Sequence, residues 1–255
     1  MNVVVCVKQI PDPAEPGQLN PSTKTLKREG KLIMDESDSY GVEMALQLVD
    51  KAGGGEVTLV SMAPNNEVSG LRTALAMGAA KAILVSDPAL LGSDALSTAK
   101  VLAAAIGRAN PDLVITATES SDGYTGTLPE QLAELLGLPS VTFAKAITVD
   151  GNEVNVRRQT EAGYDEVQCP LPAVVSVTAG VVEPRYPSFK GIMPRRTSRS
   201  SSSPSRTSVS TRGRSAGPVP VKRSPRSRRC RRAPRARSSK TTEPRTRRSW
   251  RSSRA

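Results

Sequence analysis

The sequence contains no histidine in 255 residues. That absence removes the commonest general base and the commonest metal ligand, and it excludes serine–histidine and cysteine–histidine mechanisms outright. Cysteine is nearly as scarce: Cys6, Cys169 and Cys230 lie far apart and match no disulfide or zinc spacing. No apolar run approaches the roughly 20 residues of a membrane span, so no membrane insertion is expected. The chain enters "NVVVCVK" directly, without the basic region, apolar stretch and cleavage site of an exported protein. These absences point to the cytoplasm. G-x-G-x-x-G and the P-loop lysine are also missing, which leaves no standard dinucleotide or triphosphate motif.

The net charge of +12 conceals two opposite regions. From Pro194 to Ala255 there are 19 arginines and two lysines against a single acid, Glu243, a balance of +20. Residues 1–193 hold 15 basic and 23 acidic side chains, a balance of −8. The basic character therefore belongs to the tail and says nothing about the surface of the body. The body is long enough for one domain with a substantial core.

Within the body, short apolar runs alternate with helix-period segments. Val3–Lys8, Glu56–Met62, Ala82–Ser86 and Leu113–Thr118 are nearly unbroken apolar strands, as in a parallel sheet covered on both faces. Val42, Ala45, Leu46 and Val49 form one amphipathic face, stopped by Gly53-Gly54-Gly55. Leu96, Ala99, Leu102, Ala103 and Ile106 form a second, ended before Pro111, and Leu128, Leu132, Leu135 and Leu136 form a third, with Pro129 in its first turn. This alternation predicts a doubly wound, mostly parallel α/β fold. From Ser140 the strand-like segments are joined by tight turns, which predicts an added antiparallel hairpin and a return strand at Ala173–Thr178.

Two loops suit a ligand at the carboxyl ends of such strands. "TATESSDGYTGTLPEQLA" leaves a strand and enters a helix, offering glycines, hydroxyls and free N–H groups, the parts of a phosphate site or of a simple capped loop. In "MDESDSYG" the carboxylates either hold a ribose hydroxyl or favour the N-terminus of the following helix; the second needs only the helix dipole. Cys6, inside an apolar strand, reads as core before it reads as a reactive thiol. No carboxylate pair stands out as an acid/base couple, so no catalytic residue is assigned.

The segments "VCVKQIPD", "LRTALAMGAAKAILV" and "LPAVVSV…EPRYPSFKGIM" resemble the β subunit of electron-transfer flavoprotein, almost continuously from Met1 to Met193. Glu161, Ala162, Gly163, Tyr164 and Asp165 match the family signature with two conservative departures, Ala162 and Asp165. The resemblance implies an adenine-nucleotide α-hydrolase-like fold and a non-enzymatic electron carrier paired with an α subunit. It further implies FAD held mainly by α, AMP buried in β, and electron flow from acyl-CoA dehydrogenases to a membrane quinone oxidoreductase. AMP contacts fall by resemblance on Cys6, on Asp35, Glu36, Ser37 and Asp38, and on Met62. They also fall on Asp122, Gly123, Tyr124, Thr125, Gly126, Thr127, Leu128, Pro129, Glu130, Gln131, Leu132 and Ala133. Bifurcating members bind a second FAD in this pocket, which stays an alternative, as does a free-standing adenine-nucleotide-binding module. Glu183, Pro184, Arg185, Tyr186, Phe189, Ile192 and Met193 resemble the loop that recognises partner dehydrogenases, with Phe189 as the anchoring side chain.

After Met193 the family pattern stops. The tail is either an arginine–serine arm for nucleic acid or a membrane surface, or out-of-frame translation of a G+C-rich gene. "RTSVSTRGRSAGPVPV", reread one frame over with G+C-rich codons, can give a D-L-G-V sequence like the family's continuation. That favours the frameshift: a tail disordered as written and no specific nucleic-acid partner.

Overall fold

The computed structural model of the chain describes residues 1–28, 30–187 and 230–232. In chain order the elements begin with β1 (Asn2–Cys6), β2 (Gln9–Pro11), β3 (Leu32–Met34), α1 (Glu36–Lys51) and β4 (Glu56–Ala63). They continue with α2 (Ser69–Met77), β5 (Lys81–Ser86), α3 (Ala95–Ala109), β6 (Leu113–Ala117) and α4 (Leu128–Leu136). The remainder are β7 (Ser140–Asp150), β8 (Glu153–Thr160), β9 (Gly163–Pro170), β10 (Ala173–Val177) and β11 (Arg231–Arg232).

The main sheet runs β11-β9-β8-β7-β10-β6-β1-β4-β5. From β5 to β7 each neighbouring pair is parallel, and from β7 to β11 each is antiparallel. The fold is therefore the expected α/β sheet, and its added hairpin extends into the β7-β8-β9 meander. Apolar runs take the central places because a strand covered on both faces needs apolar side chains in both directions. All five residues of β10 are buried.

α1 and α2 cover one face, packing Val42, Leu46, Leu71 and Met77 against Val3, Val5 and Leu113. α3 and α4 cover the other, where Leu102, Ile106 and Leu132 meet Val4, Val60 and Val114. Gly70 lets α2 approach β3 closely: a Cβ there would lie 2.8 Å from the Met34 backbone nitrogen. Neither α2 nor the small antiparallel β2–β3 pair was signalled by the sequence pattern. Gln9 fastens that pair to α2, accepting from the Gly70 N–H at 2.9 Å and donating to the Glu67 carbonyl at 2.6 Å.

Two expectations about the chain end are corrected at its described residues. Arg231 pairs with Gln168 and Arg232 with Val167 of β9, and both are ordered as β11. Cys169 and Cys230 are joined in a disulfide across 61 residues, because β11 lies beside β9; no local spacing could signal that pairing.

Candidate functional site

β1 and β6 lie side by side in the middle of the sheet, but the order continues from β1 to β4 and β5 in one direction and from β6 to β10 and β7 in the other. Such a switch point opens a crevice at the carboxyl ends of the strands. Its walls here are Val7 and Lys8, which follow β1, and residues 118–127, which join β6 to α4.

Lys8 joins the walls. Its backbone N–H donates to Asp38 Oδ2 at 2.6 Å, and its carbonyl accepts from the Asp35 N–H at 3.0 Å. Its Nζ donates to Ser120 Oγ at 2.9 Å and to Asp122 Oδ1 at 2.5 Å. Arg28, between β2 and β3, takes the other Asp122 oxygen through Nη2 and reaches the Gln9 carbonyl at 3.4 Å. Burial pushes the Asp122 carboxyl up, but the bonds and charges of Lys8 and Arg28 outweigh it and hold the group below the usual carboxylate range.

Asp35 is fully buried and caps α1, its Oδ1 accepting from the Ser37 N–H at 3.0 Å. Its Oδ2 accepts from the Ser121 N–H at 2.7 Å, so one carboxylate ties the start of α1 to the loop after β6. The helix-terminus reading of this segment is thus realised at Asp35, while Glu36 is exposed and Ser37 half-buried. Burial drives Asp38 well above the ordinary carboxylate range, and the charges of Asp35 and Asp122 add to the rise; the Lys8 N–H opposes it. Burial, with the Asp38 charge adding, pushes the Cys6 thiol up to about 12. Cys6 belongs to the core under α3 and α4, as the sequence suggested, and half-buried Met62 at the end of β4 packs against the same cluster.

The loop after β6 bends through Tyr124 and Gly126, both with left-handed backbones at φ 48° and 65°. Gly123, Thr125, Thr127 and Glu130 are exposed, and Tyr124 is 68 % exposed. Thr127 provides no side-chain cap to α4, which leaves first-turn N–H groups open, with Leu128 and Pro129 opening the helix. Leu132 and Ala133 turn into the core. Gln131 donates to Thr127 Oγ1 at 3.3 Å, while its Oε1 is buried with no hydrogen-bond partner among the described residues. Thr116 Oγ1 is buried and unpartnered in the same sense, on the α3/α4 face shared with Val114.

The predicted carboxylate and loop segments therefore converge. Lys8 and Arg28 were not foreseen as site residues, whereas Thr116, Ser120 and Ser121 belong to the loop read as a phosphate site without being assigned to AMP. For Lys8 a signal existed: it follows an apolar strand directly, where a switch-point crevice has its floor.

The residues expected to recognise a partner fall into two groups. Glu183, Pro184, Arg185 and Tyr186 are among the described residues; Arg185 meets Glu43 of α1, and Tyr186 is 94 % exposed. Phe189, Ile192 and Met193 lie outside the described residues. Glu161 to Asp165 form the β8–β9 turn and the start of β9.

The family model described as electron transfer flavoprotein domain matches residues 23–203. Electron transfer flavoprotein subunit beta of Mycobacterium leprae is 40% identical over 198 residues, covering 75% of this chain and 74% of its own. The protein of the same name from Thermoanaerobacterium thermosaccharolyticum is 39% identical over 193 residues, with the same coverage. The caffeyl-CoA reductase-Etf complex subunit CarD of Acetobacterium woodii is 37% identical over 195 residues, covering 76% of this chain and 74% of its own.

Proposed function

Because the chain belongs to the electron transfer flavoprotein family, as a member of the β-subunit type, we propose that it is the non-catalytic half of a cytoplasmic α/β heterodimer. The heterodimer carries electrons from acyl-CoA dehydrogenases and related flavoenzymes to a membrane quinone oxidoreductase. FAD, held chiefly by the α subunit, supplies the redox chemistry when bound. AMP occupies the β1/β6 crevice of this chain.

The observation that carries this reading is the crevice chemistry. Lys8 and Arg28 share one buried carboxylate beside the uncapped start of α4, which suits a phosphate. Thr116 Oγ1 and Gln131 Oε1, buried without partners among the described residues, supply further polar atoms for a nucleotide. Asp35 holds the loop after β6 against α1 and so keeps both walls in place. The segment Glu183–Met193 docks the electron donor, and the arginine-rich run from Pro194 is out-of-frame translation with no specific nucleic-acid role.

Co-expression with an electron-transfer flavoprotein α subunit tests the reading. A yellow heterodimer is expected, releasing FAD and AMP on denaturation, and Lys8→Met should lower the AMP content with little loss of FAD. If no yellow complex forms with any α partner, even after the reading frame is restored, the carrier reading is wrong. A complex releasing FAD in place of AMP overturns the AMP assignment alone.

A further inference from the structure

We propose that Glu43, a buried residue in the middle of α1, is the positioning residue for the partner-docking segment, acting through Arg185. The proposal rests on the reading that this segment docks the electron donor. Glu43 is 3 % exposed, an unusual place for a carboxylate on a helix that packs against a sheet. The groups it faces explain it. Glu43 Oε2 accepts from Arg185 Nε at 2.7 Å and from the Arg185 backbone N–H at 3.2 Å, and Oε1 accepts from Arg185 Nη2 at 3.1 Å. Gln47, one turn further on, donates to Oε1 at 2.8 Å, and the exposed Asp50 approaches Arg185 Nη2 at 3.6 Å.

The contact fixes more than a side chain. Because Glu43 binds both the guanidinium fork and the backbone N–H of one residue, it sets where the main chain lies at Arg185 and which way it leaves. Val181 and Val182 pack against the core just before it, so the chain is held from 181 to 185 and released at Tyr186. That residue is 94 % exposed, an aromatic on a fixed stem, which suits a recognition contact because little conformational freedom is left to lose on docking. Arg185 itself is engaged within the chain; its contribution to docking is the placement of Tyr186. A lysine could not substitute, since it lacks the fork.

Proteolysis of the full-length chain reads the clamp directly. Trypsin must draw the arginine into its own acidic pocket, so cleavage between Arg185 and Tyr186 requires release from Glu43. Glu43→Gln, which preserves size and packing, should speed that cleavage about tenfold or more, the range expected on loss of a charge-assisted fork. An unchanged cleavage rate overturns the clamp, and with it the proposal. In the flavin-loaded heterodimer with α, with a purified acyl-CoA dehydrogenase as donor, Glu43→Gln should raise the KM for the complex several-fold at unchanged kcat and flavin content. Arg185→Gln should do the same, and the double variant should add nothing further. Tyr186→Ala separates the two levels. If it raises KM while Glu43→Gln does not, the positioning role fails and the docking reading survives. If neither changes KM although cleavage accelerates, the docking reading fails and this proposal falls with it.

Discussion

Asp38 and Glu43 lie on one helix, five residues apart, and both are buried, at 6 % and 3 % exposure. Burial leads to opposite ends. Asp38 sits among carboxylates at the crevice and receives one backbone N–H; its pKa is driven well up by burial and by Asp35 and Asp122. Burial also pushes Glu43 up, but the Arg185 and Gln47 hydrogen bonds and the Arg185 charge bring it below the usual range. Depth in the fold is therefore a poor guide to whether a carboxylate is charged. The number and sign of the groups that face it decide. The carboxylate at the crevice is left under-served, whereas the one that holds the chain in place at Arg185 is fully served.

The largest expected effect comes from breaking the crevice side at its support. Asp35→Ala leaves the N–H groups of Ser37 and Ser121 without their acceptor and should cost about 2–4 kcal/mol, read as a lower urea midpoint at unchanged slope. A middle effect sharpens the contrast through pH. A raised folded pKa means that Asp38 contributes stability only at low pH, and this is lost as pH rises toward its folded value. Glu43 has the opposite sign: its contribution is present above the unfolded value of 4.5 and is lost as pH falls through its depressed folded pKa. Asp38→Asn should therefore raise stability at neutral pH by about 1 kcal/mol, with the gain shrinking as pH is lowered toward 4. A variant no more stable at pH 7 than its parent would show that the crevice serves Asp38 better than its contacts indicate. The smallest effect is at Cys6, whose thiol at a pKa of about 12 should be ionised in about one molecule in ten thousand at pH 8. Native-state alkylation mapped by mass spectrometry should leave it unmodified, with labelling only after denaturation.

Much of this was legible in the residues. The four apolar runs that were read as parallel strands became β1, β4, β5 and β6, because side chains apolar in both directions suit only a doubly covered sheet. The end of α1 and the start of α4 followed from Gly53-Gly54-Gly55 and Pro129. α2, no shorter than α4, was missed because it has no proline or acidic residue in its first turn and no side-chain cap to mark its start, and β2 and β3, at three residues each, fall below any strand pattern. The carboxylates of the crevice could be picked out because acids cluster in the sequence. Arg28 could not: it is 94 residues from Asp122 and meets it only because the β2–β3 excursion folds back over the crevice. Glu43 carried no signal of its own, since its partner is 142 residues away.

The place of β10 in the sheet constrains how the chain reaches its folded state. β10 is the last strand before residue 178, yet it lies between β6 and β7, both made earlier. During synthesis β6 therefore cannot pair on its β10 side, and the β7–β8–β9 meander has no attachment to the parallel strands, until Val177 has left the ribosome. Folding must wait for a non-local insertion, which makes it slower than growth strand by strand and leaves two apolar edges open in the interim. Once β10 is in place the central sheet is complete, whatever sequence is translated after it.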